Sequence, residues 1–393
     1  MSIHLNEIKG VKCSSIASGI KNNNSLDLSL ISLVEGSSTA AVFTQNIFCA
    51  APVLVAKNHL NFNIQALLIN SGNANAGTGK KGLEDSFKSC EIIAEELNIK
   101  PEQVLPFSTG VIGQLLPVES IEKNANKLVN SLTEDGLGNV AKGILTTDLV
   151  EKYCSVSFKV DGVKVNLSGV AKGSGMIRPN MATMLSFIVT DIGASQDELQ
   201  QCLDISVSQS FNRITVDGDT STNDACTLSA TNQSGILYSQ CKEAFQKALN
   251  ELTKKLAHMI VKDGEGSTKF VEVRVSGLES NQDCLEVAYT VAHSPLVKTA
   301  LFASDANWGR ILAAVGRARV DGISFENINI SLNEVQIILS GEISEQYTEE
   351  AGSREMEKPE ITIWINLGGF KTNESVWTTD LSYDYVKINA EYR

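Results

Sequence analysis

Two hydrophobic periods take turns along this chain. Residues 27–33 alternate polar and apolar, residues 40–44 are small and β-branched, and residues 65–69 form a short apolar run; together they predict three strands. Residues 83–97 place apolar side chains at helical spacing with Asn98 near their end, which predicts an amphipathic helix. Residues 104–107 predict a strand running into Ser108, Thr109 and Gly110, and residues 118–132 a second helix. Residues 155–160 and 163–167, parted by Asp161 and Gly162, carry the strongest hairpin signal in the sequence. From Ala182 the composition turns to Thr, Met, Leu, Phe, Ile and Val and is bounded by Asp191, the pattern of a buried strand. Ser195 with Glu198 three residues later predicts a capping box and a helix to about Phe211. Lys242–Lys262 is the longest helical stretch. Beyond it, residues 270–275, 285–291, 328–332, 335–339 and 361–366 predict strands, and residues 296–302 and 308–319 predict helices among them. Strands interleaved with helices predict an α/β fold.

Composition narrows the function classes. At 393 residues the chain has room for two or three domains of ~150 residues each. Hydrophobic content of 42% and charged content of 20% describe an ordinary globular protein. A net charge of −13 argues against a nucleic-acid partner, which favours a basic face. It leaves an anionic small substrate open, because one pocket can differ in sign from the whole. Eight cysteines are scattered with no Cys-x-x-Cys pair, which predicts reduced thiols and no zinc site. No secretory h-region and no apolar run of membrane-spanning length are visible, so the expected location is the cytoplasm, with no membrane contact.

Candidate chemistry centres on residues 169–191. Gly169, Gly173 and Gly175 make the first half flexible, Pro179 fixes one φ angle, and the buried strand begins just after. Thr183 therefore sits where a loop enters a strand, directly after the small Ala182. Such a hydroxyl can attack its own preceding carbonyl, and hydrolysis of the ester leaves Thr183 as a new N-terminus whose amine serves as its base. A Gly-rich loop leading into an ordinary core strand is the competing reading.

Other candidates carry their own alternatives. Thr109 and Gly110 offer a hydroxyl and an amide on a tight turn, hardware for an oxyanion hole or simply a turn. Lys172 lies eleven positions before Thr183; it is either a solvated loop lysine or a costly buried one. Glu265 stands between Gly264 and Gly266, a position that also suits a solvated turn. The polar loop 70–77 reads on its residues as a turn network. Asp217, Asp219 and Asp224 lack the closing Glu of a calcium loop, so residues 215–224 read as a polar loop beside the site. The glycines at 77–79 and 173–175 match no phosphate-binding pattern, and adjacent His293 and Ser294 do not make a Ser-His-Asp triad.

The stretch from Lys172 to Leu185 closely resembles the self-processing segment of the bifunctional ornithine acetyltransferase/glutamate N-acetyltransferase family of arginine biosynthesis. Further motifs stand in the same order: Asn70 to Ala76, Ser108 to Gly113, Thr146 to Asp148, Asp263 to Lys269, Asp305 to Arg310 and Asp384 to Arg393. The resemblance covers nearly the whole chain. It implies a layered α-β-β-α sandwich with a smaller C-terminal α/β region. It also implies autocatalytic cleavage between Ala182 and Thr183 into fragments 1–182 and 183–393, which fold together and pair as two copies of each. Thr183 would be the nucleophile, with Thr109 and Gly110 as oxyanion hole and Thr146, Lys172, Thr183, Glu265 and Asn389 contacting substrate. The resemblance also implies a place close to the active site for the loop 70–77. The implied reaction moves acetyl from N-acetylornithine to glutamate, without metal or prosthetic group, and acetyl-CoA is a further donor in part of the family. Family members usually carry a small hydroxyl residue after the equivalents of Tyr392 and Arg393 that helps the equivalent of Asn389 bind substrate; the given sequence stops at Arg393, so either it ends short of that residue or the contact is lost. A self-processed N-terminal-nucleophile aminopeptidase or amidohydrolase is the alternative, and a non-catalytic relative with the same fold a further one.

Overall fold

The chain opens with strands β1 (Val11–Ile16), β2 (Leu28–Leu33) and β3 (Ser38–Phe43), followed by α1 (Ala51–His59), β4 (Ala66–Asn73), α2 (Gly79–Leu97), β5 (Val104–Val111), α3 (Val118–Asn130) and α4 (Leu137–Gly143). The hairpin of β6 (Lys152–Val160) and β7 (Val163–Lys172) comes next, then β8 (Leu185–Thr190), α5 (Gln196–Ser208), β9 (Ala225–Ala230) and α6 (Lys242–Lys262). The computed structural model describes residues 5–178 and 184–391. It divides into two compact units, one running to Asn212 and including Asp219–Ile260, the other made of Arg213–Gly218 and the chain from Val261.

In the first unit, one sheet has the order β1-β2-β4-β5 and the other β3-β9-β8-β7-β6. Period-two alternation sorts the side chains of the first sheet. Leu28 and Leu30 of β2, Ala66 and Leu68 of β4 and Val104 of β5 pack against Cys90 and Ile93 of α2 and Ile121, Ala125 and Leu128 of α3. The alternate residues Ile31, Leu67, Ile69, Leu105 and Phe107 meet Val170, Leu185, Phe187 and Val189 of the second sheet. Phe107 and Phe187 touch edge to face across this interior, with ring centroids 5.0 Å apart. A Cβ on Gly169 would lie 2.9 Å from Leu252 and 3.0 Å from Leu256, so α6 packs flat on the outer face of β7 only because residue 169 is glycine. The layers thus run helix, sheet, sheet, helix. Gly169 is strand rather than flexible loop, and its smallness serves packing.

The hairpin forms as its turn residues require. Val160 pairs with Val163, and Asp161 and Gly162 take φ of 49° and 84°, the pair of positive angles that suits a two-residue turn. Ser195 and Glu198 close their capping box, with the Glu198 carboxylate accepting the Ser195 amide at 2.9 Å.

The second unit holds β10 (Phe270–Ser276), α7 (Asn281–Ala292), α8 (Pro295–Phe302), α9 (Trp308–Gly316), β11 (Asn329–Leu332), β12 (Val335–Leu339), β13 (Glu342–Ile343), α10 (Glu349–Met356), β14 (Glu360–Asn366), β15 (Asn373–Thr379) and α11 (Tyr383–Glu391). Its sheet has the order β13-β12-β11-β14-β10-β15. Val271, Val273 and Val275 of β10 alternate inward against Cys284, Val287, Ala288 and Val291 of α7. The strand expected over residues 285–291 is therefore helix. Its buried residues recur at intervals of three and four, and Ser280 caps it by accepting the Asp283 amide.

Candidate active site

The end of β7 and the starts of β8 and β9 meet at one end of the three central strands of the second sheet. Lys172 pairs with Leu185 across the antiparallel β7–β8 ladder, and Leu185 pairs with Ala225 in the parallel β8–β9 ladder. Ala182, Thr183 and the bond between them lie outside the described residues. Met184, the next residue, is clamped. Its N–H donates to Asp224 Oδ1 at 3.1 Å, and its carbonyl accepts the Ala225 N–H at 3.1 Å.

Lys172 is not a solvated loop lysine, being only 4% exposed. Its Nζ stands 4.0 Å from an oxygen of Asp148. Lys152 Nζ donates to the same carboxylate at 2.6 Å, and both of those side chains are 0% exposed. The Gly173 N–H adds a bond at 2.7 Å and the Thr146 N–H one at 3.1 Å. Burial alone would raise the Asp148 pKa, but Lys172, Lys152 and the Gly173 N–H outweigh it and hold the carboxyl well below the usual carboxylate range. Thr146, expected to contact substrate, directs both its amide and, at 3.5 Å, its hydroxyl at Asp148. Its position therefore depends on that carboxylate.

Thr109 and Gly110 lie within β5 rather than on a tight turn. Ser71 pairs with Thr109 and Gly72 with Gly110 in the parallel β4–β5 ladder, and the register shifts just after Gly72. Gly110 has φ of 136°, and a Cβ there would stand 2.3 Å from the Gly72 carbonyl carbon, so no other residue fits the bulge without moving the strand. Of the expected loop 70–77, residues 70–73 are the end of β4 and pair with β5, and only 74–77 form the connection that follows. Asn75 takes a left-handed φ of 46°, which asparagine tolerates better than most residues, and Ser108 Oγ donates to Asn70 Oδ1 at 2.6 Å.

Asn223, which the pattern of the sequence did not single out, and Asp224, read there only as part of a polar loop, join these parts. Asn223 Nδ2 donates to the Ser108 carbonyl at 2.9 Å and to the Ala74 carbonyl at 2.7 Å. Asp224, its neighbour, holds Met184. One dipeptide thus grips the backbone beside Thr109 and the backbone beside Thr183. Asp224 is 1% exposed, and burial pushes its carboxyl well above the ordinary range against the opposing pull of Ser221, the Met184 N–H and the Lys172 charge. The density of polar residues over 215–224 was the available signal for this dipeptide; for Asp148 it was the run Thr146, Thr147, Asp148.

In the second unit Glu265 has a partner: Asn389 Nδ2 of α11 donates to its Oε2 at 2.8 Å. Gly266, at φ 66°, makes the approach. A Cβ there would lie 2.5 Å from the Tyr385 amide, so glycine lets the loop touch the first turn of α11. The two expected substrate contacts of this unit are therefore neighbours.

Comparison with known proteins gives a consistent result. A family model described as "ArgJ family" matches residues 12–393. The chain is similar to the arginine biosynthesis bifunctional protein ArgJ of Pseudomonas syringae pv. tomato, 49% identical over 99% of this chain and 97% of the relative. It is also similar to the protein of the same name from Methylococcus capsulatus, 49% identical over 100% of this chain and 97% of the relative. Among solved structures, the arginine biosynthesis bifunctional protein argJ of Bacillus halodurans aligns at 37% identity and TM-score 0.47, covering 53% of this chain and 100% of that one.

Proposed function

This chain belongs to the ArgJ family and is an acetyltransferase of arginine biosynthesis, and from that premise we propose that it carries acetyl from N-acetylornithine to glutamate through an ester on Thr183. In this reading the Thr183 hydroxyl first cuts the bond to Ala182, giving fragments 1–182 and 183–393. Their lasting association is supported by the second sheet, where β8 lies between β7 and β9 and shares a ladder with β7 from the other side of the bond. Cleavage frees the Thr183 α-amine, whose ordinary pKa of about 8 suits a base working near neutrality.

The hydroxyl, its proton taken by that amine, attacks the acetyl carbonyl. Thr109 and Gly110 receive the oxyanion, ornithine leaves with a proton, and the glutamate amine then attacks the acetyl ester to give N-acetylglutamate. Lys172 supplies positive charge for a substrate carboxylate, with Asp148 fixing its position and Thr146 beside it. Glu265 and Asn389 hold the cationic end of ornithine. No metal or prosthetic group is invoked, and acetyl-CoA is a further donor. Two copies of each fragment form a cytoplasmic heterotetramer.

The observation that carries this reading is the Asn223–Asp224 dipeptide, which binds the Ser108 carbonyl and the Met184 amide and so ties the oxyanion strand to the residue after the nucleophile. Mass spectrometry of the purified protein tests it. Two fragments are expected, the second beginning at Thr183, and N-acetylornithine alone should leave acetyl on the Thr183 peptide until glutamate removes it. A second fragment with another N-terminus overturns the cleavage site. Release of free acetate at a rate indifferent to glutamate favours an amidohydrolase instead.

A further inference from the structure

Lys21 projects from the turn between β1 and β2, and Asp27 fixes that turn. One oxygen of the fully buried Asp27 carboxylate accepts the Ser18 N–H at 2.7 Å and the Ser18 hydroxyl at 2.8 Å. The other accepts the N–H groups of Gly19 at 3.1 Å and Lys21 at 2.9 Å. The Lys21 stem then crosses Gly72, which takes a φ of 98°. A Cβ there would stand 2.9 Å from Lys21 Cγ, so glycine makes room for the stem. Gly72 is also the ladder partner of Gly110.

The ammonium group donates to the Leu145 carbonyl at 2.7 Å, next to Thr146, and to the Leu26 carbonyl at 3.2 Å. An ammonium has three protons, and these two carbonyls take two of them. Among the described residues Lys21 forms no ion pair, because both Asp27 oxygens are engaged by the turn itself. Lys172 is nonetheless close enough to act on it. Burial lowers the Lys21 pKa most, Asp27 raises it, Lys172 lowers it and Asp148 raises it. Two ammonium groups within range of each other repel, and an anion between them removes that cost. Half-buried Lys21 thus stands where the β5 strand of Thr109 and Gly110, Thr146 and Lys172 converge.

The substrates carry a suitable anion. In N-acetylornithine the carboxylate sits on the carbon that bears the acetylated nitrogen. In glutamate one carboxylate sits on the carbon that bears the attacking amine. A cation that holds this group must lie close to the oxyanion-binding residues, which is where the crossing at Gly72 puts Lys21. We propose that Lys21 binds the α-carboxylate of both substrates, sharing it with Lys172. The inference deepens the function proposed above and rests on it, since acetyl donor and acceptor use the same subsite in turn. No bond is made or broken at Lys21.

Lys21→Met keeps a stem of similar length over Gly72 and removes the charge and all three protons. Acetyl transfer is measured on the cleaved protein with N-acetylornithine and with its carboxamide as donors. Glutamate and its α-amide are compared as acceptors. Wild type should prefer each acid to its amide in kcat/KM by about a hundredfold or more. Lys21→Met should shrink that preference about ten- to a hundredfold for donor and acceptor alike, the scale of a hydrogen bond to a charged group. A fall that is equal for acid and amide makes Lys21 only a prop for Leu145 and overturns the proposal. So do kinetics that match wild type. A wild-type protein that uses amides as readily as acids overturns it too, and that measurement needs no variant to fold. Wild type that moves no acetyl from N-acetylornithine to glutamate brings down the proposed function itself, and the role of Lys21 with it.

Discussion

Asp148→Asn removes one negative charge from a place where two lysines have lost their solvent. Lys152 is 0% exposed at its side chain and Lys172 5%. Their ammonium nitrogens stand 2.6 and 4.0 Å from the Asp148 carboxylate. At an effective dielectric of ~20, unit charges about 4 Å apart attract by roughly 4 kcal/mol. Asparagine keeps an oxygen for the Gly173 N–H, so the loss falls on charge. Breaking a buried pair by removing one partner costs about 3–5 kcal/mol, because the remaining charge stays buried and uncompensated. Trp308, Trp364 and Trp377 all belong to the second unit, so tryptophan fluorescence reports on the wrong part of the chain. Hydrogen exchange of peptides from β6 and β7 measures the effect directly. At about 1.4 kcal/mol per factor of ten, slow amides there should exchange two to four orders of magnitude faster in the variant. The pH dependence has a definite sign. A carboxyl held below its ordinary value of 3.8 contributes stability that is present above that value and lost as pH falls through the folded one. The wild-type advantage should therefore shrink in acid below about pH 4. Exchange in Asp148→Asn within about fivefold of wild type at neutral pH, equivalent to only ~1 kcal/mol, refutes the account of the cluster.

Three further outcomes follow from the site. Thr109→Ala should slow both cleavage and acetyl transfer about a hundredfold, the scale of one oxyanion donor worth ~3 kcal/mol, and unchanged kinetics in the folded variant remove Thr109 from the site. Gly110→Ala places a Cβ 2.3 Å from the Gly72 carbonyl carbon at a φ of 136°, so backbone strain and overpacking together should cost about 2–6 kcal/mol; an unaltered urea midpoint contradicts the bulge geometry. Glu265→Gln keeps a hydrogen bond with Asn389 but loses the charge, so it should raise KM for N-acetylornithine while leaving cleavage at Thr183 intact. Failure of cleavage instead assigns Glu265 to maturation.

Much of the architecture was legible because it is written in local periods. The hairpin at Asp161 and Gly162, the capping box of α5 and the full extent of α6 depend on residues within a few positions of one another. The misread helix α7 shows the limit of a short window. Over residues 285–291 apolar side chains fit either period, and the decisive cap at Ser280 lies just outside. The strands β1, β9, β13 and β15 and the helices α1, α4, α10 and α11 were not anticipated. β9 is six residues of small and polar composition, Ala225–Ala230, and is strand because Phe43 to Ser38 and Leu185 to Thr190 pair with it on either side.

The same division holds for the site. Thr183, Thr109, Gly110, Lys172, Glu265 and Asn389 stand in short linear motifs, so the roles proposed for them follow from the family resemblance of the chain. Their surroundings could not. A lysine in a Gly-rich stretch reads alike whether solvated or buried, and only the fold of β6 and β7 places Asp148 and Lys152 against Lys172. Asp224 lies forty residues beyond Met184, and its hold on the Met184 backbone exists because β8 and β9 run parallel in register. Side-chain period is set by the local backbone and can be read in order. The partner of a buried charge is set by strand pairing between distant segments, which is why tertiary structure alone decided it.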